Sequence, residues 1–417
     1  MTKTQQKIEP KLSTRFRKIV TGGSLIVSVC VMLTMGVLTL GAGESPVKNR
    51  PLVGAIRWDA WYGPLPASAQ LPESVEFPGF DASRNRKVSQ DPGKETRRSL
   101  APDMWRYRWP FFTTLTADGS AKDFNGNKPE VIEQEIAYAV HAGLDYWAFT
   151  AYPEDCPLSY TLKTFLTCKN RDKMKFCLFL PMWPAYGRIA NEELERAYWA
   201  HVLRMAKQPN YLKVEGNRPV FYMGFLTGRL MEMLLDGRWK RFGGELEKCG
   251  LGKPWLVICL SSPKSYRQFY DQLQGDALSQ YNVSGNAKAG SFSELAARAE
   301  AFWEECAATG VPVAPICVTG WDRRPRVMNP VSWESFHQKE DAMSLYYKSG
   351  TPDEIAAHIG RGVSWFKKHP GKNGTELVLI YAWNELDEGG WLVPALPSPH
   401  GEGTARIDAL RKVLLPR

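Results

Sequence analysis

The sequence predicts a (β/α)8 barrel, a single domain that follows an N-terminal targeting segment. Three observations carry this expectation. Short, nearly continuous apolar runs alternate eight times with longer amphipathic runs. The two long connections in the chain both follow apolar runs, as the catalytic-face loops of a barrel do. The last apolar run ends in a cluster of carboxylates, where a barrel keeps its chemistry.

The strand candidates are residues 52–58, 145–152, 175–181, 218–224, 254–260, 276–281, 312–319 and 376–384. Each is rich in Val, Ile, Leu or aromatic residues. Continuous rather than alternating apolar character predicts burial on both faces, as in a parallel sheet. Helical periods fall between these runs. Residues 129–142 open with a proline in the first turn and place Val131, Ile132, Ile136 and Ala139 on one face. Residues 191–207, 229–248, 292–309, 352–368 and 403–414 follow the same logic, with shorter helical segments expected at 157–167 and 265–274. A doubly wound open sheet is the alternative architecture, but no glycine-rich phosphate loop follows the first strand.

Residues 1–43 are expected to stand outside the barrel, which then spans 44–417. Residues 1–18 carry six Lys/Arg against one Glu, and 24–42 form an uncharged apolar run, the pattern of an export signal. The run is longer than an ordinary signal core, so cleavage after the small residues Gly41, Ala42 and Gly43 and retention as a membrane anchor are both open. Either way the protein is expected to be exported: periplasmic, secreted or anchored. The chain has a net charge of +9, of which the first 43 residues supply +5. The remaining +4 is dispersed and argues against a nucleic-acid partner.

No two of the eight cysteines have CxxC spacing and no Cys/His cluster has zinc-ligand spacing, so no metal or cofactor is expected. Cys156 and Cys168 bracket a short segment and are expected to pair in an oxidising compartment. Cys177, Cys259 and Cys317 lie in apolar runs and read as buried thiols. Fifteen Trp and 16 Tyr suit a ligand with flat, partly apolar faces, such as a sugar, although most of these rings will fill the core.

The strongest chemical signal is residues 381–390, YAWNELDEGG. The eighth strand delivers Asn384, Glu385, Asp387 and Glu388 to the catalytic face. Glycoside cleavage usually needs two carboxyl groups, one to protonate the leaving oxygen and one to act as nucleophile or base. Burial raises the pKa of one, and hydrogen bonds keep the other ionised. The bland alternative is a solvated acidic loop.

With these residues in view, the sequence resembles glycoside hydrolase family 99 and the related WbsX-like group of polysaccharide-associated proteins. The family's Asn-Glu-Trp-x-Glu-Gly motif corresponds to Asn384, Glu385, Leu386, Asp387, Glu388 and Gly389, followed by Pro394; Leu386 stands where the family usually has Trp. Residues 53–63 (VGAIRWDAWYG), 141–152 (HAGLDYWAFTAY), 210–222 (NYLKVEGNRPVFY), 275–281 (GDALSQY) and 320–326 (GWDRRPR) are also similar to family segments. The resemblance implies a retaining, endo-acting α-mannosidase type of chemistry. Glu385 would assist attack by the substrate's own 2-hydroxyl, giving a 1,2-anhydro sugar, and Glu388 would be the general acid/base. The leucine at 386 implies a missing aromatic wall, for which Trp391 is a replacement.

Substrate-contact candidates are Trp58, Tyr62, Tyr152, Trp183, Tyr281 and Trp321, each at or after the C-terminal end of a strand, together with Asn384 and Trp391. Asn384 is expected to orient Glu385 or a sugar hydroxyl. Asp322 and Arg326 are expected to pair with each other and hold their loop. His141 reads as a helix-end residue. Asn282 and Asn373 open sequences that match the glycosylation pattern. The expected partner is an oligosaccharide or polysaccharide and the expected state a monomer. A non-hydrolytic polysaccharide-biosynthesis or glycan-binding barrel is the competing class.

Overall fold

The computed structural model describes residues 50–65, 91–180, 192–224, 237–370, 375–398 and 401–416. The expected targeting segment and Trp183 lie outside the described residues. Among the described residues no helix is long and apolar enough to cross a membrane.

Eight parallel strands form the barrel: β1 (Leu52–Arg57), β2 (Tyr146–Thr150), β3 (Lys175–Leu180), β4 (Arg218–Met223), β5 (Trp255–Cys259), β6 (Ala277–Ser279), β7 (Ile316–Val318) and β8 (Leu377–Tyr381). β1 lies between β8 and β2, in register Leu52↔Leu377 and Gly54↔Tyr146. The circle is completed between β6 and the residues leading into β7, where Leu278 and Val313 form a parallel bridge. The helices Pro129–Ala142, Tyr160–Phe165, Glu192–Ala206, Trp239–Lys248, Tyr266–Leu273, Phe292–Ala307, Pro352–Trp365 and Ala405–Leu414 follow the eight strands in turn.

Local sequence explains these elements. β2, β5 and β8 are buried at every position, which is why their apolar runs are continuous. Ser291 with Glu294, and Thr351 with Glu354, form reciprocal capping boxes that satisfy the first amides of their helices. Gly143 ends helix Pro129–Ala142 in the left-handed region at φ +90°, where other residues are strained. Inside the barrel the Tyr222 hydroxyl lies 2.7 Å from that of Tyr146, which donates to the Val378 carbonyl at 2.9 Å. A side chain at Gly54 would collide with the Tyr146 ring at 2.2 Å, so the barrel closes around that ring only with glycine there.

The structure adds elements to one connection and overturns one expected pairing. The 62–128 connection holds a helix at Pro92–Leu100 and a hairpin of Thr113–Leu115 with Ala121–Phe124. That helix shows little apolar periodicity because much of its buried face is small or polar: Gly93, Thr96 and Ser99. The helix expected over 229–248 is described only from Trp239, since 225–236 lie outside the described residues. Cys156 and Cys168 do not pair. Both are buried free thiols, and Cys168 Sγ lies 3.3 Å from the Thr164 carbonyl, as in a helix back-bond.

At the mouth of the barrel Arg57, the last residue of β1, is buried between Asp59 at 2.7 Å and Glu135 at 2.6 Å. Glu135 also accepts from the Trp383 indole at 3.0 Å, and Asp59 from the Asn384 amide at 3.2 Å. Replacing Arg57 by Ala strands two buried carboxylates, and unfolding free energy should fall by about 3–5 kcal/mol. Urea unfolding measures this. A midpoint equal to that of the unchanged protein would contradict the assignment.

Candidate active site

The turn after β8 is built by backbone before side chains contribute. Asn384–Glu385 pairs antiparallel with Gly390–Trp391, and Leu386–Glu388 forms one 3₁₀ turn between them. Gly389 closes the turn at φ +84°, and a side chain there would strike the Asp322 amide at 2.7 Å. That amide donates to the Glu388 carbonyl at 2.6 Å. Gly320 approaches so closely that a Cβ would sit 2.0 Å from the Gly389 carbonyl oxygen. The two glycines let the connections after β7 and β8 touch.

Glu385 is 3% exposed. One oxygen accepts from the Tyr281 hydroxyl at 2.7 Å, and the other is buried with no hydrogen-bond partner among the described residues, 3.7 Å from Arg326 Nη2. Burial, and then the neighbouring Glu388 carboxylate, push its pKa well above the usual carboxylate range, against the opposing pull of Arg326 and Tyr281. Glu388 accepts from the Tyr381 hydroxyl on one oxygen and from Arg326 Nη1 on the other. Burial first, and the adjacent glutamates next, keep both phenols protonated and therefore donors.

Arg326 joins these groups. Its guanidinium bonds both oxygens of the fully buried Asp387, at 2.7 and 2.9 Å, while Nη1 reaches Glu388. Glu334 lies 4.0 Å away. Burial alone would lower the arginine's proton affinity, but Asp387 and Glu388 more than offset it and its pKa is raised. Asp387 is further anchored by the Ser99 hydroxyl at 3.0 Å, from the helix in the long connection after β1.

The expected Asp322–Arg326 pair is therefore not made. Asp322 binds Arg108 and Arg324 instead, and Arg324 reaches it at 2.8–2.9 Å through two nitrogens. The physical reason is supply: the turn after β8 offers Arg326 three carboxylates, whereas Arg324 can fold back on Asp322 from two residues away. In sequence Arg326 reads as the partner of Asp322; in the structure it is the cation shared by the two glutamates. The arginine-rich run 323–326 was the available signal. Tyr381 was missed because it reads as strand core.

The other candidates are distributed as follows. Asn384 Oδ1 accepts from the Trp58 amide at 3.0 Å, its carbonyl accepts from the Trp61 indole at 2.8 Å, and its amide donates to Asp59. Burial, opposed by Arg57 and Asn384, raises the Asp59 pKa to about 6. The Trp58 indole donates to the Tyr152 hydroxyl at 2.9 Å. Tyr281 lies on Glu385, and the Trp321 ring packs on Tyr381 at 6.0 Å. Tyr62 is buried, donates to Asp91 and accepts from the Gly93 amide, so it supports the start of helix Pro92–Leu100. Trp391 is 1% exposed, with the Arg406 guanidinium 3.5 Å from its ring centroid. Leu386 is fully buried, so in this chain the position is a core position and not a wall beside a ligand. Among the described residues no group of three or more His, Cys, Asp or Glu is arranged to hold a metal ion.

Comparison with solved structures finds a protein described as glycoside hydrolase-like. It is 11% identical, with 88% of this chain and 94% of that chain covered and a TM-score of 0.52. The endo-α-mannosidase of glycoside hydrolase family 99 from Bacteroides thetaiotaomicron is 14% identical over 87% of this chain and 95% of its own, with a TM-score of 0.49. The same enzyme with bis-tris-propane gives 15% identity, coverage of 86% and 94%, and a TM-score of 0.46. No protein-family model and no curated protein matches the chain. At these identities the likeness shows the fold, a (β/α)8 barrel.

A glutamate whose pKa is raised by folding favours the folded state below its unfolded pKa, and that contribution is lost as pH rises through the folded value. Glu385→Gln cannot ionise. Its melting temperature relative to the unchanged protein should therefore climb from about pH 4.3 upward, following a free-energy slope of at most about 1.4 kcal/mol per pH unit. Calorimetry between about pH 4 and 8 tests this; a pH-independent difference would remove the raised proton affinity from Glu385.

Proposed function

We propose that this protein is a retaining glycoside hydrolase that cleaves within an α-linked, mannan-like glycan. One observation carries the reading: two carboxylates three residues apart, each on its own phenol, share one buried guanidinium at the C-terminal end of the barrel. The residue roles come from the resemblance to glycoside hydrolase family 99. Glu385 takes the proton from the sugar 2-hydroxyl as that oxygen attacks C1. Glu388 gives its proton to the leaving glycosidic oxygen. Water, deprotonated by Glu388, then opens the 1,2-anhydro sugar at C1 while Glu385 returns the proton to O2. The raised proton affinity of Glu385 suits a group that must accept a proton from a weakly acidic hydroxyl.

Two donors gather on Glu388, while burial raises the proton affinity of Glu385. On this reading the proton held by the pair passes to Glu388 before the leaving oxygen takes it. The same observation favours the second reading, a non-hydrolytic glycan-binding or polysaccharide-assembly barrel, because Arg326 and Tyr381 between them occupy both oxygens of the intended acid. We further read residues 1–43 as the signal or anchor of an exported protein, and the barrel as a monomer.

The two readings separate on substitution. Glu388→Gln should lower turnover of a natural glycan by about 10²–10⁴-fold but spare an activated aryl glycoside, whose leaving group needs little protonation. Glu385→Gln should impair both substrates, and a 2-deoxy substrate should be inert with the unchanged enzyme. Full activity in either variant on a glycan the parent cleaves would refute the assignment. Glycan binding without bond cleavage would leave the second reading.

A further inference from the structure

We propose that Trp333 is the stacking platform of a sugar-binding subsite beside the carboxylate pair, an inference that rests on the glycan-cleaving reading of that pair. Trp333 lies in the long connection after β7 and is half-buried. Its ring meets that of the buried Trp58 at 5.7 Å and 65°. The Arg326 guanidinium is 5.6 Å from the centroid of each ring, and that same guanidinium contacts Glu388 and lies 3.7 Å from Glu385. One side chain therefore links the indole to both carboxylates, which puts it within reach of a glycan held across them.

Polar contacts hold the loop in addition to the packing of the indole on Trp58. Its backbone is anchored on one side by the Ser332 amide, which donates to Glu95 at 2.6 Å, and by Arg98, which donates to the Pro330 carbonyl at 2.5 Å. On the other side Glu334 accepts from Arg323 at 3.1 Å. A large flat apolar ring left partly exposed on a loop fixed by polar contacts is positioned before any ligand arrives, which is what a stacking surface requires. The C–H face of a pyranose is the matching surface, flat, apolar and rimmed by hydroxyls. Trp58 and Tyr62 are both buried, with Tyr62 committed to the start of helix Pro92–Leu100. Among the described aromatic residues on this side of the site, sugar contact therefore falls to Trp333.

The test uses the full chain with soluble α-mannan as the probe. Affinity electrophoresis in mannan-containing gels reads binding, and reducing-sugar release reads cleavage. Trp333→Ala should weaken mannan binding about tenfold or more. Trp333→Phe should keep most of it, and the melting temperature should stay close to that of the parent in both. Cleavage by the parent with equal KM in the parent and Trp333→Ala would overturn the subsite and leave the carboxylate assignment standing. Binding that depends on Trp333 without cleavage by the parent would keep the subsite and remove the hydrolase reading. Mannan neither bound nor cleaved would overturn both. If Trp333→Ala melts early, Trp333→Phe decides: a loss as deep as a non-aromatic replacement would give means the ring acts only as packing.

Discussion

The buried guanidinium of Arg326 is the constraint on which the rest of the site depends. A cation 3% exposed is tolerable only when surrounding carboxylates replace its water, and here Asp387, Glu388, Glu385 and Glu334 do so. The dependence runs both ways, since those acids could not be crowded together without it. Arg326 comes from the connection after β7, three of the acids from the turn after β8, and Asp387 is tied to Ser99 in the connection after β1. Three loops distant in sequence thus fold as one electrostatic unit, with Asp387 as its fixed point and the two glutamates at its edge.

A second buried cation holds the same turn from the opposite side. Arg57 fixes Asp59 and Glu135, which in turn fix Asn384 and Trp383. The residues immediately before Glu385 are therefore held by one ion cluster and those immediately after it by another. Such rigidity fixes the spacing of two neighbouring carboxylates, because a small displacement changes both their mutual repulsion and their donors. Tyr281 and Tyr381 complete the arrangement. Their rings pack at 5.6 Å, and each hydroxyl serves one glutamate.

Much of this was legible in the sequence, for specific reasons. The eight strands announce themselves because a strand buried on both faces must be apolar throughout, as in LVLIY at β8 and WLVIC at β5. Helix Pro129–Ala142 is visible from its opening proline, its apolar face and the glycine that ends it. Helix Pro92–Leu100 is not, because it packs through small and polar side chains that carry no periodic signal. Glu385 and Glu388 were legible as a candidate pair because they stand together where the last barrel strand ends. The partner of Arg326 was not, since pairing is decided by distance in space and the sequence offered Asp322 only four residues away.

By itself, then, the sequence determined the barrel, the order of its strands and the turn on which the carboxylates stand. These follow from hydrophobic periodicity and chain-local rules, which each segment carries within itself. The tertiary structure decided which acid meets which base, which glutamate gains proton affinity, and which tryptophans are spent on packing. Those outcomes depend on desolvation and on partners up to hundreds of residues apart, such as Arg57 with Glu135 or Ser99 with Asp387. Position 386 illustrates the division. In sequence it reads as a lost aromatic wall, and in space it is a fully buried leucine that opens the turn. Burial is a property of the assembled loops and of no single segment.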